Sequence, residues 1–249
     1  MNLAEALKTE HQPLNLSDTL KAPRDFSYSD YRSGIYLDFE GEGKKRDADS
    51  APSPHLAGVY RPNRTKSTGG SYTCYFFRKS WSPVKNGCAS EATIVDFDCF
   101  LRSLIREAKL EQKIIYYWSH HEQAMIERFA SAEVAHEFRT VSQNSLRLAK
   151  KFANRRRIKI DEKHEKGLNN FLSALAPKLP IVKETTPGAA ESCRRIDSYC
   201  AKAGRWRKWS DNQKEVARNL VSYNYEDCLA LYRVTKKVTP SSGQRQHTQ

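Results

Sequence analysis

The 249-residue chain has no apolar run near the roughly 18 residues that a membrane-spanning helix requires. Its opening stretch, MNLAEALKTEHQPLN, lacks the basic segment followed by an apolar one that marks a secretory leader, so an intracellular, cytoplasmic location is expected. Six cysteines occur (Cys74, Cys88, Cys99, Cys193, Cys200 and Cys228), but no two form a C-x-x-C pair. That spacing signals neither a zinc knuckle nor a disulfide-stapled scaffold, and the thiols read as reduced. The adjacent His120 and His121 are not four apart and make a poor helical zinc pair. No internal repeat is visible.

What the chain does have is positive charge. Forty-two Lys and Arg against 29 Asp and Glu leave a net charge of +13, a footprint suited to a polyanion such as nucleic acid. Charge of this kind names a partner class and not a chemistry. With 39% hydrophobic residues there is enough apolar material for one sizeable α/β domain. Residues 1–30 mix Pro, Ser and charge without periodicity and read as a poorly ordered extension. Residues 239–249 read as a polar tail, which leaves 31–238 as the working domain.

Within that domain, residues 34–40 form a short β-prone run closed by Gly41 and Gly43, with Tyr36, Asp38 and Glu40 on one face. Residues 56–62 and 71–81, separated by Gly69 and Gly70, read as two hairpin-connected strands. A helical pattern begins at Phe97, a fourth strand covers 113–119, and a helix follows over 122–129. Further helical segments run through 134–152 and 168–179, and a last helix covers 211–237 with Ser210 as its N-cap. Three strands, a helix, a strand and then mostly helices predict a mixed sheet covered by helices.

Three segments carry possible chemistry. Asp38 and Glu40 project from one face of a strand that otherwise reads as buried, and two close carboxylates repel in low dielectric unless a cation sits between them. The alternative is an edge strand with two solvated acids. Tyr223 and Asp227 lie one turn apart on the last helix, where the hydroxyl could hold a water beside whatever the acid ligates. Glu122 falls where the fourth strand gives way to a helix. It is either a ligand or simply a favourable first-turn anion.

Taken together, I-Y-L-D-F-E-G (35–41), Y-W-S-H-H-E (117–122) and Y-N-Y-E-D-C-L-A-L (223–231) resemble the DEDD, or DnaQ-like, 3′-5′ exonuclease superfamily in its Tyr-bearing branch. The closest resemblance is to the YprB-type predicted RNase H-like nuclease domain, over residues 34–238. It implies an RNase H-like fold and two divalent cations, Mg²⁺ or Mn²⁺, held by Asp38, Glu40, Glu122 and Asp227, with Tyr223 positioning the attacking water. It also implies a single-stranded end of DNA or RNA as substrate and, because such domains sometimes follow RecB-type nuclease domains, a helicase or nuclease partner. The wider superfamily has Asp where this chain has Glu122. A silent nucleic-acid-binding module or an accessory subunit is the other reading of the same resemblance.

Basic segments that could hold a phosphate backbone are Lys150-Lys151, Arg155-Arg156-Arg157 and Arg205-Trp206-Arg207-Lys208-Trp209. Trp206 and Trp209 suit base stacking on a single strand, or else they pack into the domain. The Arg triplet reads equally as a solvated face.

Overall fold

In the computed structural model, β1 (Ile35–Glu40) runs through the middle of a six-stranded sheet. The structure describes residues 28–43, 54–63, 69–88, 92–160, 167–177 and 187–239. Most of the expected N-terminal extension (1–27) and of the tail (240–249) lies outside them. A short helix, α1 (Tyr28–Ser33), straddles the expected domain start at 31, and its Tyr31 is fully buried.

The β-branched and aromatic residues of β1 suit a pleated strand buried on both faces. It pairs antiparallel with β2 (Leu56–Pro62), which pairs antiparallel with β3 (Gly70–Phe76). On its other side β1 runs parallel to β5 (Ile115–Tyr117), and β5 runs parallel to β6 (Ser142–Asn144). An outer strand, β4 (Ala92–Ile94), lies parallel to β3, giving the order β4-β3-β2-β1-β5-β6. The mixed sheet, three antiparallel strands followed by parallel ones, is the one expected.

Period-2 alternation then sorts β1 between two layers. Ile35, Leu37 and Phe39 pack with α3 (Phe97–Leu110), α4 (His120–Phe129) and α5 (Ala132–Val141). Tyr36 faces the opposite side, with α6 (Ser145–Arg156), α7 (Leu168–Leu175) and the long α9 (Asp211–Val238). A third cluster joins α2 (Ser82–Cys88) and α8 (Ala189–Ala203) to the β3 side of that layer. The N-terminus of α9 is fixed by a reciprocal capping box between Ser210 and Gln213. Its buried positions Ala217, Leu220, Asn224, Cys228, Leu231 and Val234 recur every three or four residues, so a single stripe lies on the sheet.

Three expectations need correction. The strand expected over 71–81 ends at Phe76, because Lys79–Trp81 coil into a 3-10 turn that buries Trp81 and lets its indole N–H donate to Asp197 at 2.7 Å. The helix expected through 134–152 is cut at 142–144, where an extended Ser142 starts β6 and Asn144 caps α6. The strand expected over 113–119 is ordered as strand only at 115–117, since Ser119 turns to cap α4. Of the helix expected over 168–179, the end beyond 177 lies outside the described residues. No described helix is long and apolar enough to cross a membrane.

Candidate metal centre

A central position for β1 sets its acids against β2 on one flank and beyond the end of the β5 pairing, which covers only Ile35 and Tyr36, on the other. Asp38 sits opposite Gly58 of β2, and Asp38 and Glu40 share the face that α9 crosses. From α9, Asp227 reaches the same point. The carboxylates of Asp38, Glu40 and Asp227 each place an oxygen within 4.8 Å of the others.

These acids line a cleft of about 320 Å³ together with Glu122, Tyr223, His121, Met125 and, at the start of α8, Ala189 and Ala190. It opens past the ends of the parallel strands β1 and β5, where the chain leaves the sheet and side chains can converge. All five residues expected to act together therefore face one cavity. Glu122 stands apart from the other three acids. One of its oxygens accepts from the Ser119 backbone N–H at 2.8 Å and from the Ser119 hydroxyl at 2.9 Å, closing a capping box at the start of α4. Its carboxylate is thus anchored by the helix end while it borders the cleft, which bears out the account of it as a first-turn anion.

Burial sets the electrostatics. Desolvation pushes the Asp38 carboxyl well above the carboxylate range, and Glu40, Asp227 and Glu122 add to that through like charge. Burial, then Asp227, push Glu40 up to about 8. Burial pushes Asp227 up to about 7 against a lowering hydrogen bond from Tyr223. Glu122 is raised by burial as well. Tyr223 moves the same way, first by burial and then by the charge of Asp227 beside it, so its hydroxyl keeps its proton and donates. Among the described residues no lysine or arginine pairs with any of these acids.

A second group of potential ligands, missed by sequence reasoning, offers a contrast. Glu42, His55 and Asp197 also lie within 4.8 Å of one another. Here a cation is built in: Arg78 donates to Asp197 at 2.7 Å and to Glu42 at 3.3 Å. The buried His55 reaches Asp197 at 2.8 Å through Nε2. Burial would raise Asp197, but the bonds from His55 and Trp81 hold it below the usual carboxylate range. This network ties the start of β2 and the 3-10 turn to α8. No local pattern could reveal it, since even His55 and Asp197 lie 142 residues apart.

The basic candidates divide. Arg155, Arg156, Arg157, Arg205 and Arg207 are exposed. Trp209 is only 3% exposed and belongs to the core, which withdraws it from base stacking. Trp206 packs on it at 5.1 Å and lies over Gly87, where a Cβ would overlap the indole, with Arg218 on its ring at 5.6 Å. The indoles of this run therefore serve packing first.

The residues present fit hard divalent cations: every candidate donor is an oxygen, and the cluster carries more negative charge than a buried site tolerates alone. No protein-family model, curated protein or solved structure matches the chain.

Proposed function

We propose that the chain is a metal-dependent nuclease of the RNase H-like, DEDD type, cutting phosphodiester bonds from the 3′ end of DNA or RNA. One observation carries the reading: three half-buried carboxylates meet within 4.8 Å, and no cationic side chain among the described residues pairs with them. Where this protein places acids together elsewhere, Arg78 is supplied to neutralise them. At Asp38, Glu40 and Asp227 no described cation does this, and a bound divalent cation would supply the missing charge.

Two divalent cations bound there would supply Lewis-acid activation of a water and charge stabilisation of the leaving oxygen. Asp38, Glu40 and Asp227 would hold them, and Glu122 would support from the α4 end of the cleft. Tyr223, with its proton retained, would orient the attacking water by donating or accepting a hydrogen bond. The positive net charge supports a polyanionic substrate, with the exposed Arg155–Arg157 triplet and Arg205 and Arg207 as candidate backbone contacts. A nuclease or helicase partner, as the resemblance implies, would feed the cleft a free end.

The test is cleavage of 5′-labelled and 3′-labelled single-stranded DNA and RNA with Mn²⁺ or Mg²⁺. Asp38→Asn and Asp227→Asn are each expected to lower the rate at least about 10³-fold while the variants stay folded. A wild-type protein that binds Mn²⁺ but cleaves neither polymer would instead favour the silent binding module. An Asp38→Asn protein with full metal-dependent activity would overturn the assignment.

A further inference from the structure

Between Tyr223 and Asp227 on α9 stands an amide with no place in the acid set. Asn224 is completely buried, an unusual setting for an uncharged polar side chain unless all its groups are met. Both ends are met. Its Nδ2 donates to Asp38 Oδ2 at 2.7 Å, and its Oδ1 accepts the Tyr72 hydroxyl of β3 at 2.9 Å. The amide also bonds Glu40 and holds that carboxyl lower than burial alone would. With Asp38 ionised, as metal ligation requires, a reversed amide would set its oxygen against a carboxylate oxygen.

The backbone makes room for the contact. Gly58 lies opposite Asp38 in the β1-β2 register, and a Cβ there would overlap the Asn224 amide oxygen. Three strands and a helix thus converge on one neutral donor. Neutrality matters here. A lysine or arginine would bring its own positive charge and close the cluster to a metal, as Arg78 does between Glu42 and Asp197. An amide fixes one oxygen of Asp38 and leaves the negative charge of the cluster intact.

We propose that Asn224 is a positioning residue of the acidic centre, holding Asp38 in the orientation that ligates a divalent cation, with Tyr72 holding Asn224 in turn. The inference rests on the reading of that cluster as a metal centre. It assigns to Asn224 a role that acts through Asp38 and requires no contact with substrate.

The experiment is a Mn²⁺ titration of the full chain without nucleic acid, following the paramagnetic resonance signal of the free ion, with thermal unfolding measured alongside. Wild type is compared with Asn224→Ala and Tyr72→Phe. Outer-shell partners of metal ligands are worth about 10- to 100-fold in affinity, so Asn224→Ala is expected to weaken Mn²⁺ binding by that much. Tyr72→Phe, which leaves the amide in place but untethered, is expected to weaken it in the same direction by about threefold or more. An Asn224→Ala protein that melts lower yet binds Mn²⁺ like wild type would overturn the inference and leave Asn224 a packing residue. Should Asn224→Ala not fold, Tyr72→Phe decides by the same criterion, since it deletes a single hydroxyl. Wild type that binds no Mn²⁺ removes the metal centre itself and this inference with it, whereas equal binding by all three proteins removes only the role of Asn224.

Discussion

Tyr223 and Asp227 share one turn of α9, and the hydroxyl of the first bonds the carboxylate of the second. Because burial and the neighbouring acids raise Tyr223 far above an ordinary phenol, it is a poor proton acceptor in the chemical step and a good hydrogen-bond partner for a water. Tyr223→Phe keeps the ring and loses that bond. The expected result is a rate at saturating Mn²⁺ lower by about 10- to 100-fold, with Mn²⁺ affinity little changed, since a positioning contact is worth less than a ligand. Single-turnover cleavage checks this, and an unchanged rate would remove Tyr223 from the reaction. Asn224, next in sequence, shows the limit of reading residues singly. Tyr, Asp and Glu stand out by type and spacing, but an amide announces nothing until β3 brings Tyr72 against it across 152 residues.

At the scale of elements, α9 is the part on which both core and site depend. Its stripe packs on β1, β2, α6, α7 and α8, and the same helix carries Tyr223 and Asp227. Leu231, 1% exposed and one turn beyond Asp227, lies at the heart of that packing. Leu231→Ala is expected to cost about 2–5 kcal/mol in urea unfolding at unchanged slope. A loss below 1 kcal/mol would mean that the stripe is not what seats the helix. This helix was legible in the sequence because its periodicity is long and its Ser210 cap is explicit, and β1 was legible through its aromatic and β-branched run. By contrast, β6 is Ser-Gln-Asn, polar throughout, and is a strand only because β5 offers an unpaired edge. The N-cap of α8, Gly188, makes no side-chain cap, and the buried side of the helix holds Ser192, Cys193, Ile196 and Cys200, too little apolar surface to mark a helix locally. The capping box from Ser119 to Glu122 was present as a pattern.

For the molecule as a whole, the acid cluster couples stability to pH and, on the proposed reading, to metal. In the folded state Glu40 is pushed up to about 8 and Asp227 to about 7, with Asp38 and Glu122 raised too, while the unfolded chain returns all four to ordinary values near 4. A raised folded value means that the unfolded state releases its protons first. The contribution to stability is therefore fully present below about pH 4 and is lost as pH rises through 7 and 8. In a chelating buffer the melting temperature is expected to fall by about 5–10 °C between pH 6 and pH 9, a drop set by a few kcal/mol of buried like charge. If the cluster is the proposed metal centre, saturating Mg²⁺ or Mn²⁺ would replace those protons, so the fall should shrink and the melting temperature at pH 9 should rise. Asp38→Asn, with one charge fewer, should flatten the profile without any metal. The Glu42-His55-Asp197 network carries Arg78 already and gives no reason for a metal response in this window. If the pH profiles with chelator and with metal coincide, the four acids are not holding a cation, and the proposed chemistry loses its centre.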